Sequence, residues 1–133
     1  MKRDMDLIRD ILMKIEGGQL AFTAISSDMA SRLDIPLETP MSEEEADQLR
    51  GHLDLLEQGE FIEIEARYGG GLYQIKGLTW QGHEFLGSVR DPEIWAKTKK
   101  GAEAARGFTV DLLKDLAKGL VKKQIEDYTG VKL

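Results

Sequence analysis

The feature of this sequence that most constrains its fold is a glycine-tipped hairpin between two helical patterns. Residues 61–66 alternate apolar and polar side chains, and residues 72–78 form a second run of strand-forming residues. Three consecutive glycines at 69–71 fall at the turn between the runs, and glycine adopts tight-turn backbone angles at little cost. The sequence therefore predicts a two-stranded β-hairpin, and the helices on either side of it decide the fold class.

The segment before the hairpin predicts an amphipathic helix with a defined start and end. Ser42 and Glu45 have the spacing of a capping box, and Gly59 follows the last apolar residue of the pattern. Between them, apolar residues recur at spacings of three and four, as on one buried helix face: Ala46, Leu49, Leu53 and Leu56. A helix directly before a hairpin has the position of the recognition helix in a winged helix-turn-helix protein.

The start of the chain predicts another helix, followed by an ambiguous stretch. Residues 4–16 carry a wide apolar face, and Asp4 has the position of its N-cap. Residues 20–25 are apolar and compatible with a short strand, and residues 27–33 are compatible with a short helix.

After the hairpin, three N-cap residues indicate three more helices. Thr79 precedes a helix that extends to about residue 89, Asp91 precedes a short helix, and Thr109 precedes a helix that extends to about residue 127. Residues 99–107 fit either a linker or a frayed helix. The last helix carries one apolar stripe: Leu112, Leu113, Leu116, Leu120 and Val121.

The order of these elements predicts an α+β fold that is mainly helical. Helices followed by a two-stranded wing give a winged helix-turn-helix core over residues 1–90. Residues 91–133 form a C-terminal helical extension, which we expect to pack on the core or to serve in dimerisation.

The composition excludes several classes of protein. The 133 residues have the length of one ordinary domain, and the absence of cysteine excludes disulfides, a thiolate nucleophile and a zinc finger. No apolar run approaches the roughly 20 residues of a membrane span. The N-terminus begins with two basic residues but reaches acids at Asp4 and Asp6, unlike a signal peptide. We expect a cytoplasmic protein that does not bind membranes.

The net charge of −6 is unevenly distributed along the chain. Residues 1–95 carry 9 Lys or Arg and 19 Asp or Glu, a net charge of −10, whereas residues 96–133 carry 9 and 5, a net charge of +4. An acidic body with a basic tail bears on the choice of partners rather than on the fold.

Three blocks of the sequence resemble a family of uncharacterised bacterial and phage proteins known only as a domain of unknown function. They are residues 1–9, residues 52–62 and the run Leu78-Thr79-Trp80-Gln81-Gly82-His83-Glu84-Phe85-Leu86, with Arg90-Asp91 and Trp95 beyond it. Residues 26–40 look longer than the family pattern. The resemblance covers most of the chain and implies a winged-helix fold, but it supplies no catalytic residue.

The predicted recognition helix is poorly suited to DNA. Its plausible readers of base edges are Gln48, Arg50 and His52. Its six carboxylates would repel phosphate, which supplies much of the affinity for DNA: Glu43, Glu44, Glu45, Asp47, Asp54 and Glu57. A solvated acidic face is favoured over reading of the groove.

The hairpin and the tail offer two further candidate contacts. Arg67 and Lys76 lie near the hairpin tip, where Tyr68 could pack on a sugar, although an ordinary exposed hairpin is favoured. In the tail, lysines recur every four residues on one helix face with one more beside them: Lys114, Lys118, Lys122 and Lys123. These lysines could meet nucleic acid, an acidic protein, the acidic body of the same chain or a second copy. The alternative is a solvated helix face.

No residues form a recognisable catalytic or cofactor site. His83 and Glu84 do not have the spacing of a metal motif, and the three glycines join two strands, unlike a phosphate loop. We expect His83 to be structural, Gly82 to permit close helix packing, and the nearby aromatic residues to lie in the core: Trp80, Phe85 and Trp95. The sequence thus predicts no enzyme activity, no metal, no cofactor and no small-molecule substrate.

Two functions remain open. The favoured one is a nucleic-acid-associated, transcriptional-regulator-like module of bacterial or phage origin, based on the predicted fold, the resemblance and the basic tail. The alternative is a protein-interaction module that keeps the winged-helix fold without binding DNA, with a possible homodimer through the C-terminal helix. The acidic recognition helix favours this alternative.

Overall fold

A computed structural model of the chain describes residues 1–104 and 109–133. Its helices and strands, in chain order, are α1 Met5–Glu16, β1 Ala21–Thr23, α2 Ser27–Arg32, α3 Glu43–Gln58, β2 Ile62–Tyr68, β3 Leu72–Leu78, α4 Trp80–Val89, α5 Pro92–Ala104 and α6 Val110–Thr129. The fold is α+β and mainly helical, as predicted. The chain forms two compact units, Met1–His83 and Glu84–Leu133. The boundary predicted after residue 90 lies later in the chain than the limit between these units.

The first helix of the first unit follows the sequence pattern closely. The Asp4 carboxylate accepts hydrogen bonds from the backbone N–H groups of Asp6 and Leu7, which no helical carbonyl can satisfy. The predicted apolar face is buried at Met5, Ile8, Ile11, Leu12 and Ile15. The N-cap and the apolar periodicity therefore place α1 as expected.

The predicted capping box also forms at the start of α3. The Ser42 side chain accepts a hydrogen bond from the Glu45 backbone, and the Glu45 carboxylate accepts one from the Ser42 backbone. Gly59 is the C-cap, and the helix buries Ala46, Leu53 and Leu56. The exposed side of α3 is thereby fixed as the side that carries most of its carboxylates.

The predicted hairpin is confirmed, but it belongs to a larger sheet. β2 and β3 pair antiparallel, and β1 pairs antiparallel with the other edge of β3, so the strand order is β1-β3-β2. Phe22 of β1 lies opposite Tyr73 of β3, and both side chains are buried. The sequence predicted two strands, whereas the sheet has three among the described residues. The third strand is β1, whose Phe22 packs beside Tyr73.

Gly82, near the start of α4, lies close to Phe61, the residue before β2. This confirms the expectation that Gly82 permits close packing of the helix. A Cβ at Gly82 would collide with the backbone carbonyl of Phe61. The Thr79 hydroxyl donates a hydrogen bond to the Glu60 carbonyl and accepts one from the Gly82 N–H at 3.0 Å. The N-cap of α4 is thus also its attachment to the sheet.

Trp80 corrects the expectation that it belongs to the core, because its side chain is 78% exposed. It lies five residues before the buried Phe85, a spacing that places the two on different faces of a helix with 3.6 residues per turn.

In the second unit, α5 packs against α6. α5 buries Ile94, Trp95, Thr98 and Ala102, and α6 buries Leu113 and Ala117. The predicted caps form, since Asp91 accepts hydrogen bonds from the backbone of Glu93 and Ile94, and Thr109 accepts one from Leu112. Residues 99–104 belong to α5, and the remainder of the predicted linker, residues 105–107, lies outside the described residues.

Candidate functional site

Residues 1–4, here called the N-terminal segment, lie against a turn of α3 that carries two of the candidate readers of base edges. The Gln48 side-chain amide donates a hydrogen bond to the Lys2 carbonyl at 3.2 Å. The Asp4 backbone N–H donates to Nε2 of His52 at 2.8 Å. Gly51 lies between these two positions, and a Cβ there would collide with the Met1 side chain. One turn of α3 is therefore occupied by the chain itself.

His52 is fully buried, so its predicted position on the surface of α3 was wrong. Its Nε2 accepts a hydrogen bond from Asp4 and therefore carries no proton, while its Nδ1 donates to the Gln48 carbonyl at 2.7 Å. Both ring nitrogens are satisfied in the neutral imidazole. The physical reason for the burial is the N-terminal segment, which covers this turn of α3 from a distant part of the sequence.

Arg50 connects α3 to the tip of the hairpin. One guanidinium nitrogen donates to the Gly70 carbonyl at 3.0 Å, and another contacts the Asp47 carboxylate at 2.7 Å. The third predicted reader of base edges is thus also held within the chain, by the glycine turn on one side and by its own helix on the other.

Arg67 of the hairpin lies between two carboxylates of α3. Its guanidinium contacts Glu57 at 2.7 Å and Asp54 at 3.0 Å. The hydrogen bonds that Arg67 donates to Glu57 and, to a smaller extent, to Asp54 raise the pKa of Arg67 above its usual value. The guanidinium also lies 5.6 Å from the centre of the Tyr73 ring. Arg67, a candidate for contact with a phosphate, is therefore paired with α3.

Tyr73 extends this cluster into the buried side of the sheet. Its hydroxyl donates to the Asp54 carboxylate, with oxygen distances of 3.2 and 3.3 Å. Burial, together with the nearby Asp54 charge, raises the pKa of Tyr73 above the usual value for a phenol. We call Asp54, Glu57, Arg67 and Tyr73 the hairpin clamp, because they tie β2 and β3 to α3.

The other predicted hairpin contacts lie on the surface. Tyr68 is 60% exposed, and the Lys76 ammonium lies 3.6 Å from the Glu63 carboxylate with both side chains exposed. An exposed pair of this kind contributes little to stability, about 0–1 kcal/mol. Lys76 therefore adds little net positive charge to this surface.

Carboxylates dominate the charge of the first unit. Residues 1–83 contain 8 Lys or Arg and 16 Asp or Glu, a net charge of −8. At the start of α3, Glu43 and Glu44 are exposed and form no ion pair with any described residue. We call the exposed carboxylates Glu43, Glu44 and Asp47 the acidic face of α3.

The lysines of α6 differ from the basic residues around α3, since no described residue forms an ion pair with them. Lys114, Lys118 and Lys122, here called the lysine row, recur every fourth residue along one side of the helix. Lys118 and Lys122 are exposed, and Lys114 is half-buried. The row lies close to two carboxylates of the same helix, Asp111 and Asp115, so its positive charge is not uniform.

Lys123 does not belong to this row. Successive residues of a helix are about 100° apart around the axis, so Lys123 points away from Lys122. It lines a shallow groove between α5 and α6 whose other charged residues are Asp91, Glu93, Lys97 and Asp127. Lys123 is exposed there, among charges of both signs.

The sequence did not predict the N-terminal segment as part of the site. Its hydrogen bonds with α3 join residues that are 46 and 48 positions apart in the sequence. Neither residues 1–4 nor the residues of α3 that they contact form a sequence motif that predicts this contact. Within residues 1–104 and 109–133, no group of three His, Cys, Asp or Glu side chains is placed to hold a metal ion. Nor is any helix in that part of the chain long and apolar enough to cross a membrane.

Comparison with known proteins places the chain in a family. A family model described as "Hypothetical protein (DUF2513)" matches residues 2–109. The chain belongs to this family. An uncharacterized protein of Haemophilus influenzae is 27% identical over 128 residues, which span 94% of this chain and 99% of that relative. No solved structure matches the chain. The resemblance to a domain-of-unknown-function family is thereby confirmed.

Proposed function

We propose that this protein is a non-enzymatic protein-interaction module that keeps a winged-helix arrangement without reading DNA through α3. The order of the elements supports the winged-helix part of the proposal, since three helices precede the β2–β3 hairpin and α3 ends just before it. The hairpin clamp then holds the wing against the helix that it follows.

The observation that carries the proposal is that all three predicted readers of base edges are held within the chain. Gln48 and His52 bond to the N-terminal segment, and Arg50 bonds to the hairpin tip. Reading a base pair requires side chains whose donors and acceptors reach the groove. A protein partner can instead be bound by the exposed carboxylates and backbone that remain.

The charge of this surface supports the same proposal. A DNA-binding surface gains affinity by neutralising phosphates with free Lys and Arg. Arg50 and Arg67, which contact α3 or lie on it, each already contact a carboxylate, and Lys76 of β3 lies 3.6 Å from Glu63 of β2. Beside them, Glu43 and Glu44 form no ion pair with any described residue, and these exposed carboxylates repel a duplex and attract a basic partner.

Photo-crosslinking tests whether the acidic face of α3 meets a protein. Replacing Glu44 by p-benzoylphenylalanine places a crosslinker on this face, and the same replacement at the exposed Gln81 of α4 is the matched control. After irradiation of cells that produce the protein, we expect a discrete protein adduct from position 44 and none from position 81. Adducts with nucleic acid, or no adduct from position 44, would contradict the proposal.

Binding of duplex DNA through α6 is the second candidate, and the absence of ion pairs at the lysine row favours it. This candidate predicts retardation of duplex DNA that weakens as salt rises and is lost in the Lys118→Glu, Lys122→Glu double variant. If no duplex is retarded at low salt, the nucleic-acid function is wrong.

A further inference from the structure

We infer that the partner is a second copy of this chain, whose acidic face of α3 receives the lysine row of the first copy. The inference rests on the proposed function and adds to it the identity of the partner and of the two surfaces.

The lysine row forms no ion pair with any described residue of its own helix pair. On α5, Lys97 lies 3.3 Å from Glu93, so that lysine is paired. On α6, Lys118 and Lys122 are exposed and form no ion pair with any described residue, although Asp111 and Asp115 are on the same helix. Two exposed ammonium groups one helical turn apart are thus available to carboxylates outside this helix pair.

The acidic face of α3 offers carboxylates at the same spacing. Glu43 and Asp47 are four residues apart, as are Lys118 and Lys122, and four residues advance a helix by about 6 Å. Glu43 has no ion-pair partner among the described residues, and Asp47 contacts only one nitrogen of Arg50. When the two helices lie side by side, each lysine meets one carboxylate.

The mixed charge of α6 favours a protein face over a phosphate backbone. The helix carries four lysines and four carboxylates, Asp111, Asp115, Glu126 and Asp127, so its net charge is zero. A duplex presents only negative charge and would repel those carboxylates. The α3 face also has a cation, Arg50, beside Asp47, so both faces carry charges of both signs.

One copy carries both halves of the contact, which permits a closed dimer. In a two-fold arrangement the lysine row of each copy binds α3 of the other, so the same contact forms twice. The lysine row then meets part of the excess negative charge of residues 1–83.

A charge-swap experiment on the full chain tests the inference. The first variant carries Lys118→Glu and Lys122→Glu, and the second carries Glu43→Lys and Asp47→Lys. Sedimentation equilibrium of the unmodified chain should show a monomer–dimer equilibrium whose Kd rises as salt goes from about 20 to 300 mM, because screening weakens exposed ion pairs. Each variant alone should raise Kd at least about tenfold, since two attractive pairs become repulsive in each of two contacts.

The decisive sample is an equimolar mixture of the two variants. In the mixed dimer the new glutamates of α6 face the new lysines of α3, and the other contact keeps its natural residues. The mixture should therefore dimerise with a Kd close to that of the unmodified chain. If the mixture fails to dimerise, the inference is wrong, because the two faces would then not bind each other through complementary charge.

The matched control is the double variant Lys14→Glu, Lys76→Glu, which changes the net charge equally at lysines outside both surfaces. It should dimerise like the unmodified chain, and equal weakening by this control would overturn the inference. Thermal melts check that each variant folds. If the Glu43→Lys, Asp47→Lys variant does not fold, the Glu43→Gln, Asp47→Asn variant replaces it. This milder variant should raise log Kd by about half as much, because it removes the attraction without adding repulsion.

The remaining outcomes separate this inference from the proposed function. A chain that stays monomeric up to about 1 mM overturns the inference, as does a dimer unaffected by either variant. A crosslinked adduct at position 44 of a mass other than twice that of the chain would then still support the proposed function. DNA binding that is lost in the Lys118→Glu, Lys122→Glu variant would assign the lysine row to nucleic acid and overturn both.

Discussion

At the scale of single residues, His52 is the side chain that most directly joins the N-terminal segment to α3. It is fully buried, and each ring nitrogen has one backbone partner, Asp4 or Gln48. Replacing it by Leu keeps a similar volume but leaves the Asp4 N–H without an acceptor. We expect the free energy of unfolding to fall by roughly 1–3 kcal/mol, measured by urea denaturation. His83→Leu, at an exposed histidine, is the control and should change it little; equal losses would contradict the role of His52.

Tyr73 gives a prediction for alkaline pH. Burial raises its pKa in the folded state, so the folded protein holds this proton at pH values where the unfolded chain has released it. The protonated Tyr73 hydroxyl therefore stabilises the fold fully below about pH 10, the pKa of tyrosine in the unfolded chain. This stabilisation is lost as the pH rises above that value. Urea denaturation between pH 8 and 11 should show a smaller alkaline loss in Tyr73→Phe than in the unmodified chain. Parallel curves would contradict this prediction.

At the scale of elements, two glycines of α4 have opposite roles. A Cβ at Gly82 meets the Phe61 carbonyl, whereas a Cβ at Gly87 meets nothing within 4 Å. Gly82→Ala forces α4 away from the residue before β2 and should cost roughly 1–3 kcal/mol. Gly87→Ala should instead stabilise by roughly 0.5–1 kcal/mol, since alanine favours the helix. Thermal melts measure both, and a neutral Gly82→Ala would show that α4 can move freely.

At the scale of the whole molecule, the N-terminal segment brings together parts of the chain that are far apart in sequence. Removing residues 1–3 keeps the Asp4 cap of α1 but eliminates the Lys2 carbonyl that Gln48 contacts and the Met1 side chain beside Gly51. Hydrogen exchange of the α3 amides should become faster, because that face loses its cover. The truncated chain should still not bind duplex DNA, since Arg50 and Arg67 remain paired with carboxylates. A gain of DNA binding would show that the segment alone blocks it.

The sequence by itself determined the features that depend on neighbouring residues. The caps at Asp4, Ser42, Thr79, Asp91 and Thr109 form as predicted, because a cap joins residues two or three positions apart. The apolar faces of α1 and α3 and the glycine-tipped hairpin follow from local periodicity in the same way. The family was likewise visible in three blocks of residues.

Only the tertiary structure decided which charges and polar groups remain available. The burial of His52, the pairing of Arg67 with Asp54 and Glu57, and the third strand β1 all depend on contacts between distant segments. A pattern of residue types gives the exposed faces of isolated helices, but it does not show which face a distant segment covers. For the same reason, the sequence placed α3 in the position of a recognition helix, but only the tertiary structure showed that the chain itself holds its candidate reading side chains.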